Sequence, residues 1–364
     1  MTSRTVETDT ALAKLARALE VEPSELDFLA DVRLEHLRDL RWCITDTLGA
    51  ADAKRLNGVV AASKLVPTAL AAAIGEKWFG PVLCARLVGL VEPKRGAQYA
   101  KHLGVAFMAD ITARTDPRVA GELVKELELP TMQAIAVTLV ERGDHLTLSH
   151  FVGHLPPEVV AAILEAIDDN AAVVRIARYV EDLGHLDPVV ALLPDARVVA
   201  LVQAVDDDDL WVDGLRLFSH LGDEQITRVA TTIVRLDSAT VAAALEAFDR
   251  HDLWDQGLQL VEHLDPGDLA TFADVLLVLD DPVIDAAIEV IDRREAWPVL
   301  VRIALAAEGL NGEVRARLGE IVERLPRSRI ERFEQAAADL GHPGLIATTL
   351  RGIAPELEPN HSVG

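Results

Sequence analysis

Within each apolar stretch of the chain, the hydrophobic residues recur at steps of three and four, the spacing of one face of an α-helix. Three stretches do more than repeat that step; they repeat each other. Leu193–Val205, Leu236–Phe248 and Leu279–Ile291 each begin 43 residues after the last. Apolar residues coincide at Val198/Val241/Ile284, Val202/Leu245/Ile288 and Val205/Phe248/Ile291, and an acid follows at Asp206, Asp249 and Asp292. The same tryptophan then returns at Trp211, Trp254 and Trp297, each with an acid two residues before it: Asp209, Asp252 and Glu295. Three of the five tryptophans fall on one period.

The period predicts about three helices per unit, over 237–250, 252–263 and 266–278 in the middle copy. Leu264-Asp265-Pro266 and Asp281-Pro282 put an Asp cap before a first-turn proline, whose missing N–H costs nothing there. Leu155-Pro156-Pro157-Glu158 and Leu325-Pro326 are variants of the same start. Upstream, Leu155–Asp168 matches Leu193–Asp206 at a spacing of 38, and Leu129-Pro130 and Leu65-Val66-Pro67 begin further helices. The expected organisation is a disordered start (1–12), an apolar helical region (13–128), an acidic run of repeats (129–355) and a disordered tail (356–364). One repeat cannot bury its apolar face alone, so stacking must supply the core. The expected fold is all-α, a right-handed α-solenoid of the armadillo/HEAT kind.

The run Leu264-Asp-Pro-Gly-Asp-Leu-Ala270, followed by a second helix start at Leu279-Asp-Asp-Pro282, resembles the acidic N-terminal superhelical domain of MgtE-type magnesium transporters. The resemblance covers about residues 129–340 and implies a superhelical fold and acidic surfaces responsive to Mg²⁺. The chain departs from that family in carrying no transmembrane domain and no counterpart of the paired regulatory modules.

Composition agrees with helices: half the residues are hydrophobic but only 4% are aromatic. The net charge of −24 is segregated. Residues 1–110 hold 14 basic and 14 acidic residues, and residues 111–364 hold 21 and 45. Such a surface excludes nucleic acid as a partner. Residues 57–110 reverse the sign, with six basic residues (Lys64, Lys77, Arg86, Lys94, Arg95, Lys101) against Glu76, Glu92 and Asp110. Cys43 and Cys84 match no disulfide framework or metal spacing. Residues 1–10 lack the apolar core of a signal peptide, and Val59–Ile74 is too short to span a bilayer. The expected setting is the cytoplasm, with peripheral membrane contact open to the apolar region.

Candidate chemistry is sparse. His150 and His154 stand four apart, a spacing that lets two imidazoles chelate one metal. The intervening Phe-Val-Gly lacks the glutamate of a hydrolytic zinc motif. His154-Leu155, His220-Leu221 and His263-Leu264 also share one position, where a histidine bonds the last carbonyls of a helix. That reading outweighs a metal, and no cofactor is expected. Asp206–Asp209 has the wrong spacing for a diphosphate-binding acid pair and reads as a helix junction. The three repeated tryptophans read as core.

Residues 58–110 are the part the repeat leaves unexplained. Their helices carry small residues all round, which suits a buried hairpin, an apolar cavity or a face for a hydrophobic partner. Leu70, Ile74, Trp78, Phe79, Leu83, Leu87 and Phe107 are its candidate contact residues, with His150 beside them. No phosphate loop, dinucleotide fingerprint or nucleophile elbow is present. The first expectation is a non-enzymatic scaffold that binds another protein along an extended surface. The alternative is a carrier or sensor of a hydrophobic small molecule or lipid, with residues 58–110 as the cavity wall. A cation-responsive regulatory domain and an enzyme with dispersed carboxylates rank below both.

Overall fold

A computed structural model describes residues 6–307 and 312–346. Residues 1–5 and the whole 356–364 tail, both expected to be disordered, lie outside the described residues. Among the described residues there are twenty-two α-helices, two 3₁₀ turns, one π-helical turn and no strand. The chain divides into two compact units, Met1–Leu193 and Pro194–Gly364.

The second unit shows why its helices start and stop where they do. Ser238–Arg250, Trp254–Glu262 and Pro266–Leu276 are the helices of the middle copy. The second begins two residues later than its apolar pattern suggests, because Asp252 takes a left-handed conformation (φ 54°) that closes the preceding helix. Asp209 (φ 51°) and Glu295 (φ 55°) do the same at 43-residue steps. After each one, an N–H reaches back to the last turn: Leu210 to the Val205 carbonyl at 2.8 Å, Leu253 to Phe248 at 2.8 Å, and Ala296 to Ile291 at 2.9 Å. These are Schellman-type closures, built on an acid where glycine is usual. The tryptophan that follows opens the next helix and is buried each time.

Packing in this unit mostly joins a helix to the second one after it. Pro266–Leu276 lies against Ser238–Arg250 and Trp297–Ala307, and Trp297–Ala307 against Arg327–Asp339. Arginines tie together positions 33 to 40 residues apart. Arg235 Nε donates to buried Asp268 at 2.8 Å, Arg293 pairs with Asp255 at 2.7 Å, and Arg329 with Asp292 at 3.0 Å. Gly257 is required by close approach: a Cβ there would stand 2.4 Å from the Phe248 ring.

The first unit opens on the helix Val6–Leu19, which corrects the expectation of disorder for residues 6–12. The polar Glu-Thr-Asp-Thr start hides an apolar stripe: Ala11, Leu12, Leu15 and Ala16 pack with Leu26 and Leu37 in a core of their own. Next comes the 30-residue helix Leu34–Ser63, then a series of short helices from Thr68–Ile74 to Leu186–Leu192. The long helix lies along that series and is pinned to it at intervals. Arg41 Nη2 donates to Glu181 at 3.0 Å, Asp46 accepts from Arg118 at 3.0 Å, and Asp52 pairs with Arg86 at 3.4 Å. At its C-terminal end the Ser63 and Val66 carbonyls accept from Arg95 Nη2 at 2.7 and 3.0 Å.

Candidate functional site

The short helices of the first unit do not close on one another. Among the described residues from 57 to 128, the fully buried apolar side chains are Ala72, Ala85, Ala97, Ala109 and Ala120 with Met108. Larger ones such as Phe79, Leu87, Leu103 and Leu123 line a partly open cavity of about 260 Å³. It exceeds the roughly 150 Å³ apolar cavity that stays dry and takes up benzene. Its wall begins at Val59 and Val60 on the long helix. It continues over Phe79, Leu87, Leu103, Leu123, Met132 and Phe151, and ends at Ile167 and Ile176. Most of the helices between give three residues each, so the wall is shared among many elements.

The few polar groups in the wall are already satisfied by the protein. Ser63 Oγ donates to the Val60 carbonyl at 2.8 Å, Thr112 to Met108 at 2.9 Å, and Thr115 to Ile111 at 2.8 Å. The Tyr99 hydroxyl accepts from Arg95 Nε at 2.6 Å and reaches Ser63 Oγ at 3.2 Å. Cys84 donates weakly to the Gly75 carbonyl at 3.6 Å, and burial pushes its thiol up to about 11. Tyr99 and Cys84 are the ionisable side chains of the wall. A cavity without free donors, acceptors or charges selects for apolar area alone.

Of the residues singled out from sequence, Phe79 and Leu87 line the cavity. Ile74, Leu83 and Phe107 are half-buried outside its wall, although Phe107 sits beside lining Met108. Leu70 and Trp78 face solvent, with Trp78 76% exposed. The cavity also extends well beyond residue 110, to Ile176. The wall is assembled from many helices, and a single helix's apolar face does not announce whether it meets a side chain or a void.

His150 lies elsewhere, in a buried charge cluster. Lys14, only 3% exposed, stands 3.5 Å from Glu181 Oε1, which Arg41 Nη1 also contacts. Arg38 bonds the Glu181 backbone carbonyl at 3.1 Å. Burial alone would raise the Glu181 carboxyl, but the hydrogen bonds from Arg41 and the charges of Lys14, Arg41 and Arg38 outweigh it and hold it at about 2. Burial lowers Lys14 to about 8 against the pull of Glu181. Burial also pushes His150 well below its usual value, as do the charges of Lys14 and Arg41. Its imidazole is therefore neutral, and its Nε2 is sealed without a partner.

His154 does not aim at a shared metal with His150: its Nδ1–H donates to the His150 carbonyl at 3.0 Å. His220 and His263 make the same bond to Arg216 and Gln259, each at 2.8 Å, as their shared position in the sequence suggests. Among the described residues no three His, Cys, Asp or Glu side chains converge to hold a metal ion. Asp206 accepts from Trp211 Nε1 at 3.3 Å and from Thr240 Oγ1 at 3.2 Å, so the acidic run serves the helix junction. No described helix is long and apolar enough to cross a membrane. No family model matches the chain, and neither a curated protein nor a solved structure is significantly similar to it.

Proposed function

We propose that the first unit holds an apolar small molecule, of the lipid or hydrocarbon class, in the cavity between Val59 and Ile176. The observation that carries this is a void of about 260 Å³ whose wall spends every hydroxyl on the protein itself. A folded chain gains nothing from leaving large side chains against empty space, because each loses its dispersion partners. An apolar occupant restores them. The wall offers no carboxylate, imidazole or amine, which favours storage, transport or sensing over turnover.

The test is fluorescence of the apolar dye N-phenyl-1-naphthylamine. Wild-type protein enhances its emission and native mass spectrometry of the source-purified chain shows a retained apolar mass. Ala136→Phe, which projects a ring into the cavity, abolishes the enhancement while circular dichroism stays helical. Cavity filling of this kind stabilises by about 0.5–2 kcal/mol, so a folded variant is expected. Dye binding that survives the substitution sinks the reading.

The second unit supports the scaffold reading. A void between its later helices measures only about 50 Å³, and its helices are tied by Arg–Asp pairs between neighbours. We read it as a right-handed α-solenoid of armadillo/HEAT kind with a 43-residue unit. Its acidic surface suits a basic protein partner.

A further inference from the structure

The segment Leu65–Val82, part of which lines the cavity, also carries an exposed apolar face. Leu65 is 88% exposed, Trp78 76% and Leu70 54%, and Val82 and Phe79 are open to solvent as well. Five large apolar side chains thus stand in water within eighteen residues. The local backbone sets them out. The helix Thr68–Ile74 runs into a π-helical turn, Gly75–Phe79, and Gly80 (φ 72°) then breaks the direction before Gly80–Val88. A π turn widens the helix by one residue and shifts the face that follows. Here it leaves Trp78 outward and the adjacent Phe79 on the cavity wall.

Positive charge outnumbers negative on this stretch. Lys64 and Lys77 are exposed and have no ion-pair partner among the described residues. Glu76, the one acid on this stretch, is exposed as well and lies near Gly104, so the two lysines outnumber it. Exposed apolar side chains that include a tryptophan, with exposed lysines among them, are the composition of a surface that beds into the headgroup layer of an anionic bilayer. A protein partner would satisfy the apolar area but leaves the two unpaired lysines without a reason. Ala71, Ala72 and Gly75 line the cavity from the same helix that carries Leu70 and Trp78. The outer face and the cavity are therefore two sides of one element.

We propose that the segment Leu65–Val82 docks on an anionic lipid surface, with Trp78 and Leu70 inserted and Lys64 and Lys77 on the headgroups. The inference rests on the cavity reading, and it assigns the source of the ligand: an apolar molecule passes between bilayer and cavity beside Phe79, without crossing water.

The experiment is flotation of the full chain with vesicles of equimolar phosphatidylcholine and phosphatidylglycerol, beside vesicles of phosphatidylcholine alone. Wild-type protein floats with the anionic vesicles and less with the neutral ones. Trp78→Glu lowers the bound fraction by about tenfold or more, as expected when an inserted aromatic becomes a charge. Lys64→Glu with Lys77→Glu removes the preference for the anionic vesicles. None of these residues lines the cavity, so the naphthylamine signal in solution is unchanged in all of them. Wild-type protein that stays with the vesicle-free layer while still binding the dye overturns the docking face and leaves the cavity reading standing. Flotation of Trp78→Glu equal to wild type also overturns it. So does a concentration-dependent dimer in sedimentation velocity that Trp78→Glu dissolves. Trp78-dependent flotation without dye binding upholds the docking face and removes the cavity reading.

Discussion

Glu295 shows how much one backbone angle decides. It is exposed, makes a left-handed turn at φ 55°, and closes a helix so that Trp297 can open the next. Aspartate tolerates that region better than glutamate, and the other two copies use aspartate. Glu295→Gly removes the Cβ strain and is expected to raise stability by about 0.5–1 kcal/mol, after the entropy cost of glycine is set against it. A chemical-denaturation midpoint that falls instead would mean the side chain has a contact of its own. The capping histidines were readable from sequence because their bond is to a carbonyl four residues away. His150 was not readable: what surrounds it, Lys14, Arg41 and Glu181, comes from three distant segments.

The long helix Leu34–Ser63 is the element on which the first unit turns, and its pattern gave no warning of that role. It has no continuous apolar face, and its middle is exposed. Besides the apolar contact of Leu37 with the first helix, its hold on the later segments is through ion pairs and hydrogen bonds 34 to 143 residues apart, several of them at Glu181. An unperturbed glutamate titrates near 4.3, whereas Glu181 is held at about 2 in the folded chain. The unfolded chain therefore takes up its proton first as acid is added. The pair's contribution is complete above about pH 4.5 and is lost as pH falls from there toward 2. Glu181→Gln leaves Lys14 and Arg41 buried without a counter-charge and is expected to cost about 3 kcal/mol at neutral pH. Thermal unfolding as a function of pH checks both statements: the variant starts lower and loses less below pH 4.5. Equal acid slopes in the two proteins count against the pair as the anchor.

At the scale of the molecule, two compact units with different interiors should respond differently to an apolar ligand. The second is filled by Trp, Phe, Leu and Ile, and the first keeps a cavity. A ligand that binds only the folded first unit stabilises it by about 2.7 kcal/mol at a hundredfold excess over Kd. Calorimetry with saturating N-phenyl-1-naphthylamine is therefore expected to move the first unit's transition upward and leave the second's in place. A common shift of both, or none, contradicts binding confined to the cavity.

What the sequence determined by itself is local: helices, their caps, the recurring tryptophans, and the charge division along the chain. The helices and caps depend on residues within about one helical turn of each other, where spacing alone carries the physics, and the repeat and the charge division are read by comparing such local patterns along the chain. The sequence also marked residues 58–110 as unusual, and Phe79 and Leu87 as lining candidates. Only the tertiary structure decided that the cavity runs on to Ile176, that Leu70 and Trp78 stand outside it, and that an apolar helix begins at Val6. Apolar residues at helical spacing state that a face avoids water. Whether that face meets a neighbouring helix, an empty space or a membrane depends on what distant segments bring to it.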